Sequence, residues 1–439
     1  MRLYEWLDSR LRLKPIRETL LDEPIPGGAS WIYVFGSATL FLFGLQAITG
    51  MFLALYYAPT PDHAYDSIQF IEKEITFGSF VRGLHHWGAS IMVVMIGLHM
   101  LQTFLYGAYK PPRELMWMVG VILLFITLVF AFTGYLLPWD QNAYWATQVG
   151  INMVGGVPMV GDFLVRVLRG GESLGALTLS RFFAVHVLFL PAVLIVGIVL
   201  HLFILRRVGP AGPWSDERAK LGSETFAPRQ VYMDAVVMLA LFMVVAALAL
   251  TVPFDLADKA NPSDTTFVPV PEWYFLFYYQ LLKYVHGPFE PLVTWILPAA
   301  FILVVFFWPF IDRNPARNPA QRRTTMLAGA AFLMVVFGLL GLSLRDLYAV
   351  PRLDPSVAHG KALYAQYGCA GCHVIHGEGG GVGPDLSYVG DARPDREWHH
   401  RHFQDPQAMV PGSIMPSFPL TDRELHDLTS YMLSLTQGR

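Results

Sequence analysis

The only two cysteines of the 439-residue chain stand together in Gly368-Cys369-Ala370-Gly371-Cys372-His373. A CxxCH run is the pattern by which two thioethers fix a c-type haem while the adjacent histidine reaches the iron. A redox-active CxxC and half of a zinc site are the rivals. The first wants a βαβ context, which the sequence does not offer. The second wants two more ligands, and His376, His399, His400 and His402 follow no zinc spacing. Cys369 and Cys372 are therefore read as haem anchors and His373 as an iron ligand. Two cysteines are too few for a disulfide framework or for an iron–sulfur cluster, which takes about four ligands.

Four further histidines recur at matched spacing in apolar surroundings. His85 and His99 lie 14 residues apart, and His186 and His201 lie 15 apart. At about 1.5 Å and 100° per residue, each pair falls near one helix face at two levels roughly 21–22 Å apart. The two helices run in the same direction by parity, so His85 can face His186 and His99 can face His201. Two stacked bis-imidazole sites result, the arrangement that two haem b irons need. Hydrogen bonding between helices is the simpler use of a lone buried histidine, but polar groups are expensive in lipid and here there are four. His86 leaves the ligand choice open by one residue, although only His85 has the 14-residue partner.

Glycines repeat the same interval: Gly36 and Gly50, then Gly120 and Gly134. A missing Cβ lets a flat macrocycle approach a helix backbone; small-residue helix packing is the alternative. Arg82, one turn before His85, can neutralise a haem propionate or serve as an interfacial anchor.

The elements that must position these residues are membrane helices. The chain is 54% hydrophobic and 15% charged, against roughly 25% charged in soluble domains. Apolar runs at 31–57, 84–106, 116–137, 182–205, 232–253, 293–312 and 325–344 each approach the ~20 residues that cross a bilayer. Residues 1–30 are charged and polar and read as no cleavable signal peptide. Lys and Arg concentrate in 1–30, 107–115, 206–231 (with Arg218 and Lys220) and 313–324, which puts the N-terminus inside and everything after 345 outside. A net charge of −3 points to no nucleic acid. In the polar tail, "SVAHGKALYAQYG" and "TDRELHDLTSYMLSLT" carry helical periodicity on either side of a glycine-rich loop.

The stretches "RGLHHWGAS…GLH", "TGYLLPWDQNAYWA", "LTLSRFFAVHVLFLP" and "PVPEWYFLFYYQLL" resemble cytochrome b of the quinol-oxidising bc and bf complexes over about residues 15–345. The tail resembles a small class I cytochrome c, with "GPDL" (383–386) as the loop behind the histidine. The resemblance implies an all-α fold, a seven-span transmembrane bundle with a small all-α cytochrome c domain. Its parts would be 1–210 (four helices, haem-binding), 211–345 (three helices with the PEWY segment), a linker at 346–358 and the cytochrome c domain at 359–439. The 15-residue spacing, Asp140 in "LPWDQ" and the count of seven spans are similar to the bf branch. Val34 stands where many bf-type proteins carry a cysteine that anchors an extra haem.

The family further implies that His85 and His186 hold an outer, low-potential haem b, and His99 and His201 an inner, higher-potential one. Met415 in "SIMPSF" would be the sixth ligand of the haem c, with Met409 its rival. Glu272 of Pro271-Glu272-Trp273-Tyr274 would take a proton from quinol, with Tyr135 and Tyr274 lining the pocket; an interfacial aromatic belt is the alternative. Asp234, entering span five, would serve an inner quinone site with help from Arg206. The implied setting is a bacterial cytoplasmic membrane. The implied partners are a Rieske-type Fe–S protein, quinone, cytochrome c or another electron acceptor, and a second copy of the chain. A dihaem anchor of another dehydrogenase, or an electron conduit without quinol turnover, is the competing expectation.

Overall fold

The computed structural model describes residues 2–214, 222–264, 267–348 and 354–436. Arg218 and Lys220 of the inner-side charges, and residues 349–353 of the expected linker, lie outside the described residues. The chain divides into two compact units, Met1–Ser343 and Leu344–Arg439.

Seven helices of the described residues are long and apolar enough to cross a membrane: Trp31–Ala54, Gly78–Leu105, Glu114–Tyr135, Ala176–Val208, Arg229–Thr251, Gly287–Phe306 and Arg323–Tyr348, spans one to seven. Spans two, four and six each begin six residues before their apolar runs. The extra turns carry Ser79 and Arg82, Ser180 and Arg181, and Glu290. Backbone hydrogen bonding propagates a helix through polar residues once it is nucleated, so the apolar run marks only part of it. Spans one, two and five pack together around Ala38, Leu42, Leu84, Met92, Met95, Val245 and Ala249. Spans three and four form a second packed pair. Outward-facing Val196, Leu239 and Met334 are exposed, as a lipid surround requires.

The connections between spans contain the helices Ala64–Lys73, Gln141–Gly155 and Gly161–Arg169. The second of these has a clear cause. Asp140 caps it, its Oδ1 accepting the Ala143 N–H at 2.8 Å while Oδ2 accepts the Ala257 N–H at 3.2 Å. Asp140 thus joins the loop after span three to the loop after span five.

At the opposite end of the bundle, charges are buried as a knot. Asp312 accepts from Lys110 at 3.0 Å and from the Tyr109 hydroxyl, and lies 3.7 Å from Arg322. Arg322 is fully buried and donates to Tyr109 at 2.9 Å and to the carbonyls of Phe104 and Leu105. The knot ties the loop after span two to the segment between spans six and seven.

The second unit is built on the helices Pro355–Gln366 and Asp422–Ser434, which pack against each other. Their contact is closest at Gly360, where a β-carbon would stand 2.0 Å from the Asp427 carbonyl oxygen. Thr421 and Glu424 form a reciprocal cap at the start of the second helix. Leu363, Tyr364, Phe403, Leu425, Leu428, Tyr431 and Met432 make the core.

Candidate functional site

Spans two and four bring the four histidines into two facing pairs. The ring centres of His85 and His186 are 6.4 Å apart, and those of His99 and His201 are 6.5 Å apart. His86 turns away and stacks on Phe254. The unequal spacing of the pairs has a physical origin in span four. Val185–Phe189 form a π-helical turn closed by the Leu190 N–H on the Val185 carbonyl. Pro191 follows at once; in a regular α-helix its ring would strike the carbonyl of residue 187. The wider turn relieves that clash and takes up one residue. The 15-residue interval of span four therefore covers the same height as the 14-residue interval of span two. The same pairing of a π turn with proline recurs in span six, at Leu292–Ile296 before Pro298.

Each glycine of the 14-residue repeat backs onto one histidine. A β-carbon at Gly36 would lie 3.5 Å from Cε1 of His99, at Gly50 3.1 Å from His85, at Gly120 3.3 Å from His201 and at Gly134 2.6 Å from His186. The sequence assigns these glycines to the approach of a macrocycle. The structure adds that they seat the imidazole edges, with Gly134 the tightest. Arg82, read as a propionate partner or an interfacial anchor, pairs with Glu72 and donates to the Phe254 carbonyl at 3.2 Å.

Each half of the bundle also carries an acid, half-buried Glu272 and buried Asp234. Tyr135, next to Gly134, donates to the Val270 carbonyl at 3.2 Å and so fastens the Pro271-Glu272-Trp273-Tyr274 segment to span three. Burial raises the pKa of the Glu272 carboxyl, only partly offset by the Trp273 N–H. Tyr274 is also held in its neutral form, first by burial and then by nearby Glu272 and Tyr135. At the other level lies Asp234, in span five. Asp234 is 5% exposed and accepts from Gln230 at 2.9 Å. Arg206 pairs with Glu23 at 2.9 Å, whereas Asp234 is held by Gln230.

In the C-terminal unit, Cys369 and Cys372 form no disulfide with each other. His373 donates from Nδ1 to the Pro384 carbonyl at 2.9 Å, which leaves Nε2 available. Gly383 lies so close to the ring that a β-carbon would stand 2.6 Å from Cε1. Met415 packs on the same core cluster as Cys369. His399, one of the histidines weighed for zinc, spends its Nε2 on the Arg393 carbonyl at 2.8 Å.

Residues 20–209 match the model of the family described as cytochrome b/b6/petB, and residues 259–350 match cytochrome b(C-terminal)/b6/petD. A menaquinol:cytochrome c reductase cytochrome b subunit of Geobacillus thermodenitrificans is 43% identical over 220 residues, covering 48% of this chain and 98% of that protein. The chain belongs to the cytochrome b family. Residues 357–436 match the cytochrome c family, so a cytochrome c domain is fused to the cytochrome b part. A cytochrome bc complex cytochrome b subunit of Chlorobaculum thiosulfatiphilum is 36% identical over 343 residues, 77% of this chain and 78% of that protein. A solved structure, described as a hyperthermophilic respiratory Complex III, superimposes with a TM-score of 0.71 at 28% identity, covering 77% of this chain and 91% of that one.

A cytochrome b with a cytochrome c domain implies haem b and haem c, and the geometry suits them. The facing rings of each pair, with centres 6.4 and 6.5 Å apart, leave room between them for one metal ion, which their imidazole nitrogens would hold. Sequence reasoning missed two neighbours of these rings, Thr49 and Thr133, whose hydroxyls reach His85 and His186. The repeated Thr-Gly dipeptide was the available signal.

Proposed function

We propose that this chain is the cytochrome b and c subunit of a membrane quinol:cytochrome c oxidoreductase that couples electron transfer to proton translocation. The two bis-imidazole pairs at matched separation are the observation that carries the reading. His85 with His186, and His99 with His201, would hold two noncovalent haem b groups. Cys369 and Cys372 would bind one haem c covalently, with His373 and Met415 on its iron. When bound, these haems supply one-electron redox centres at three places.

Quinol oxidation to quinone releases two electrons and two protons. Glu272, with its raised pKa, is suited to accept a proton from a quinol hydroxyl and release it again. Tyr135 holds the Glu272 segment in place from span three, and Tyr274 shields it from water. One electron leaves towards a Rieske-type Fe–S partner and the cytochrome c domain; the other leaves towards the Asp234 end of the bundle. There Asp234, held by Gln230, supplies a proton to a reduced quinone, and Arg206 orders Glu23. The distribution of Lys and Arg supports a cytoplasmic N-terminus in a bacterial inner membrane, with Glu272 and the c domain on the outer side. A homodimer and a further acceptor for the c-domain electron complete the assembly.

The test is turnover of the purified complex with quinol and cytochrome c, comparing the unaltered chain with Glu272→Gln. The substitution should lower turnover by about 10²–10⁴ with haem content intact. Equal turnover in the two would overturn the assigned role and favour a passive electron conduit.

A further inference from the structure

The two histidine pairs differ in what stands behind them. At the level of His85 and His186, Thr49 Oγ1 lies 2.9 Å from His85 Nδ1, and Thr133 Oγ1 lies 3.1 Å from His186 Nδ1. Each threonine also meets the carbonyl four residues back, Leu45 at 2.7 Å and Val129 at 2.9 Å. A hydroxyl has a single proton. With that proton given to the carbonyl, the oxygen can only accept from the ring, so Nδ1 carries the hydrogen and Nε2 presents its lone pair. The Phe130 carbonyl also lies 3.1 Å from His186 Nδ1, a second acceptor for that ring.

At the other level the residues before the glycines are Phe35 and Val119, which have no hydroxyl. Among the described residues, Nδ1 of His99 and of His201 is buried without a hydrogen-bond partner of good geometry. The Met116 carbonyl faces His201 but does not reach that geometry. The two halves of the bundle therefore repeat one device, Gly behind His, and add a hydroxyl at one level only.

We propose that Thr49 and Thr133 are positioning residues that lower the reduction potential at the His85/His186 level relative to the His99/His201 level. The inference rests on the reading that the four histidines hold two b haems. Hydrogen bonding to Nδ1–H makes the ligating nitrogen more basic. A more basic ligand favours the ferric ion over the ferrous one, so the level with acceptors takes up an electron less readily. The threonine hydroxyls supply this acceptor at both rings, and the Phe130 carbonyl adds a second one at His186.

Redox titration of the purified complex, followed by b-haem absorbance, tests this. Thr49→Val and Thr133→Val, alone and combined, should raise the midpoint of one b component and leave the other unmoved. Thr49→Ser and Thr133→Ser should restore it. In the reverse direction, Val119→Thr installs a hydroxyl before Gly120 and should lower the midpoint of the other component. Two bound b haems with unmoved midpoints in the double valine variant would overturn the proposal. If the valine variants do not retain haem, an unmoved midpoint in Val119→Thr overturns it. Absence of two b components from the unaltered protein would instead overturn the haem reading itself.

Discussion

His186 rests against Gly134 so tightly that a β-carbon there would stand 2.6 Å from its Cε1, whereas the equivalent contact of His99 with Gly36 would be 3.5 Å. The same motif thus has different tolerances at its two ends. A 2.6 Å approach forces the ring to move; 3.5 Å is ordinary van der Waals contact. Gly134→Ala should displace His186 and lose the b haem at that level, and Gly36→Ala should leave His99 in place. Haem extracted per chain, with the spectrum of the remaining b component, reads the difference. Equal losses in both variants would mean that the glycines act on the macrocycle and not through the histidines.

The π-helical turn makes a second prediction. If the turn absorbs the extra residue of span four, removing that residue from within the turn should be tolerated. Deleting Leu188, with Pro191→Ala so that a regular helix can form, should preserve both histidine pairs. Deleting Val196, beyond the turn, should rotate His201 by about 100° relative to His186 and abolish one pair. Retention of two b haems in both deletions would rule out this account of the spacing.

Much of the bundle was legible because its cause is local. Lipid demands long apolar runs, and helical period fixes which residues share a face, so the pairing of His85 with His186 followed from spacing alone. What was illegible depends on partners far away in sequence. Thr49 looks like any small polar residue in a helix until His85, on another span, is placed beside it. The pairing of Arg82 with Glu72 was equally hidden, because Glu72 lies in a helix that the apolar pattern did not mark. The π turn was half legible: Pro191 announced a disturbance in span four, but only the backbone shows that it is resolved by one extra residue.

Glu272 should impose an acid limb on turnover. Its folded pKa is raised by burial, and the ordinary value for Glu is about 4.3. Proton acceptance requires the carboxylate, so turnover should fall as pH drops through the raised pKa, at a pH above the ordinary carboxylate range. Glu272→Gln should remove that limb and leave a low, flatter profile. A variant that keeps the limb would assign it to another group.

Asp312 holds two buried cations, and this gives the bundle a stability that depends on pH. Burial alone would raise its pKa, but hydrogen bonds from Tyr109 and Lys110 and the charge of Lys110 outweigh it and hold the carboxyl below its ordinary value. The stabilisation is therefore present above the unfolded pKa and is lost as pH falls through the lowered folded value. Asp312→Asn should cost about 3–5 kcal/mol, the usual penalty for leaving a buried charge without its partner, because Lys110 and Arg322 have almost no access to solvent. Replacing Asp312 and Lys110 together, by Asn and Met, should recover part of the loss, since one of the two stranded cations goes with its partner. Thermal unfolding of the purified chain in detergent, at neutral pH and again in acid, measures both effects. A single variant as stable as the unaltered chain at neutral pH would show that the knot contributes nothing to holding spans two, six and seven together.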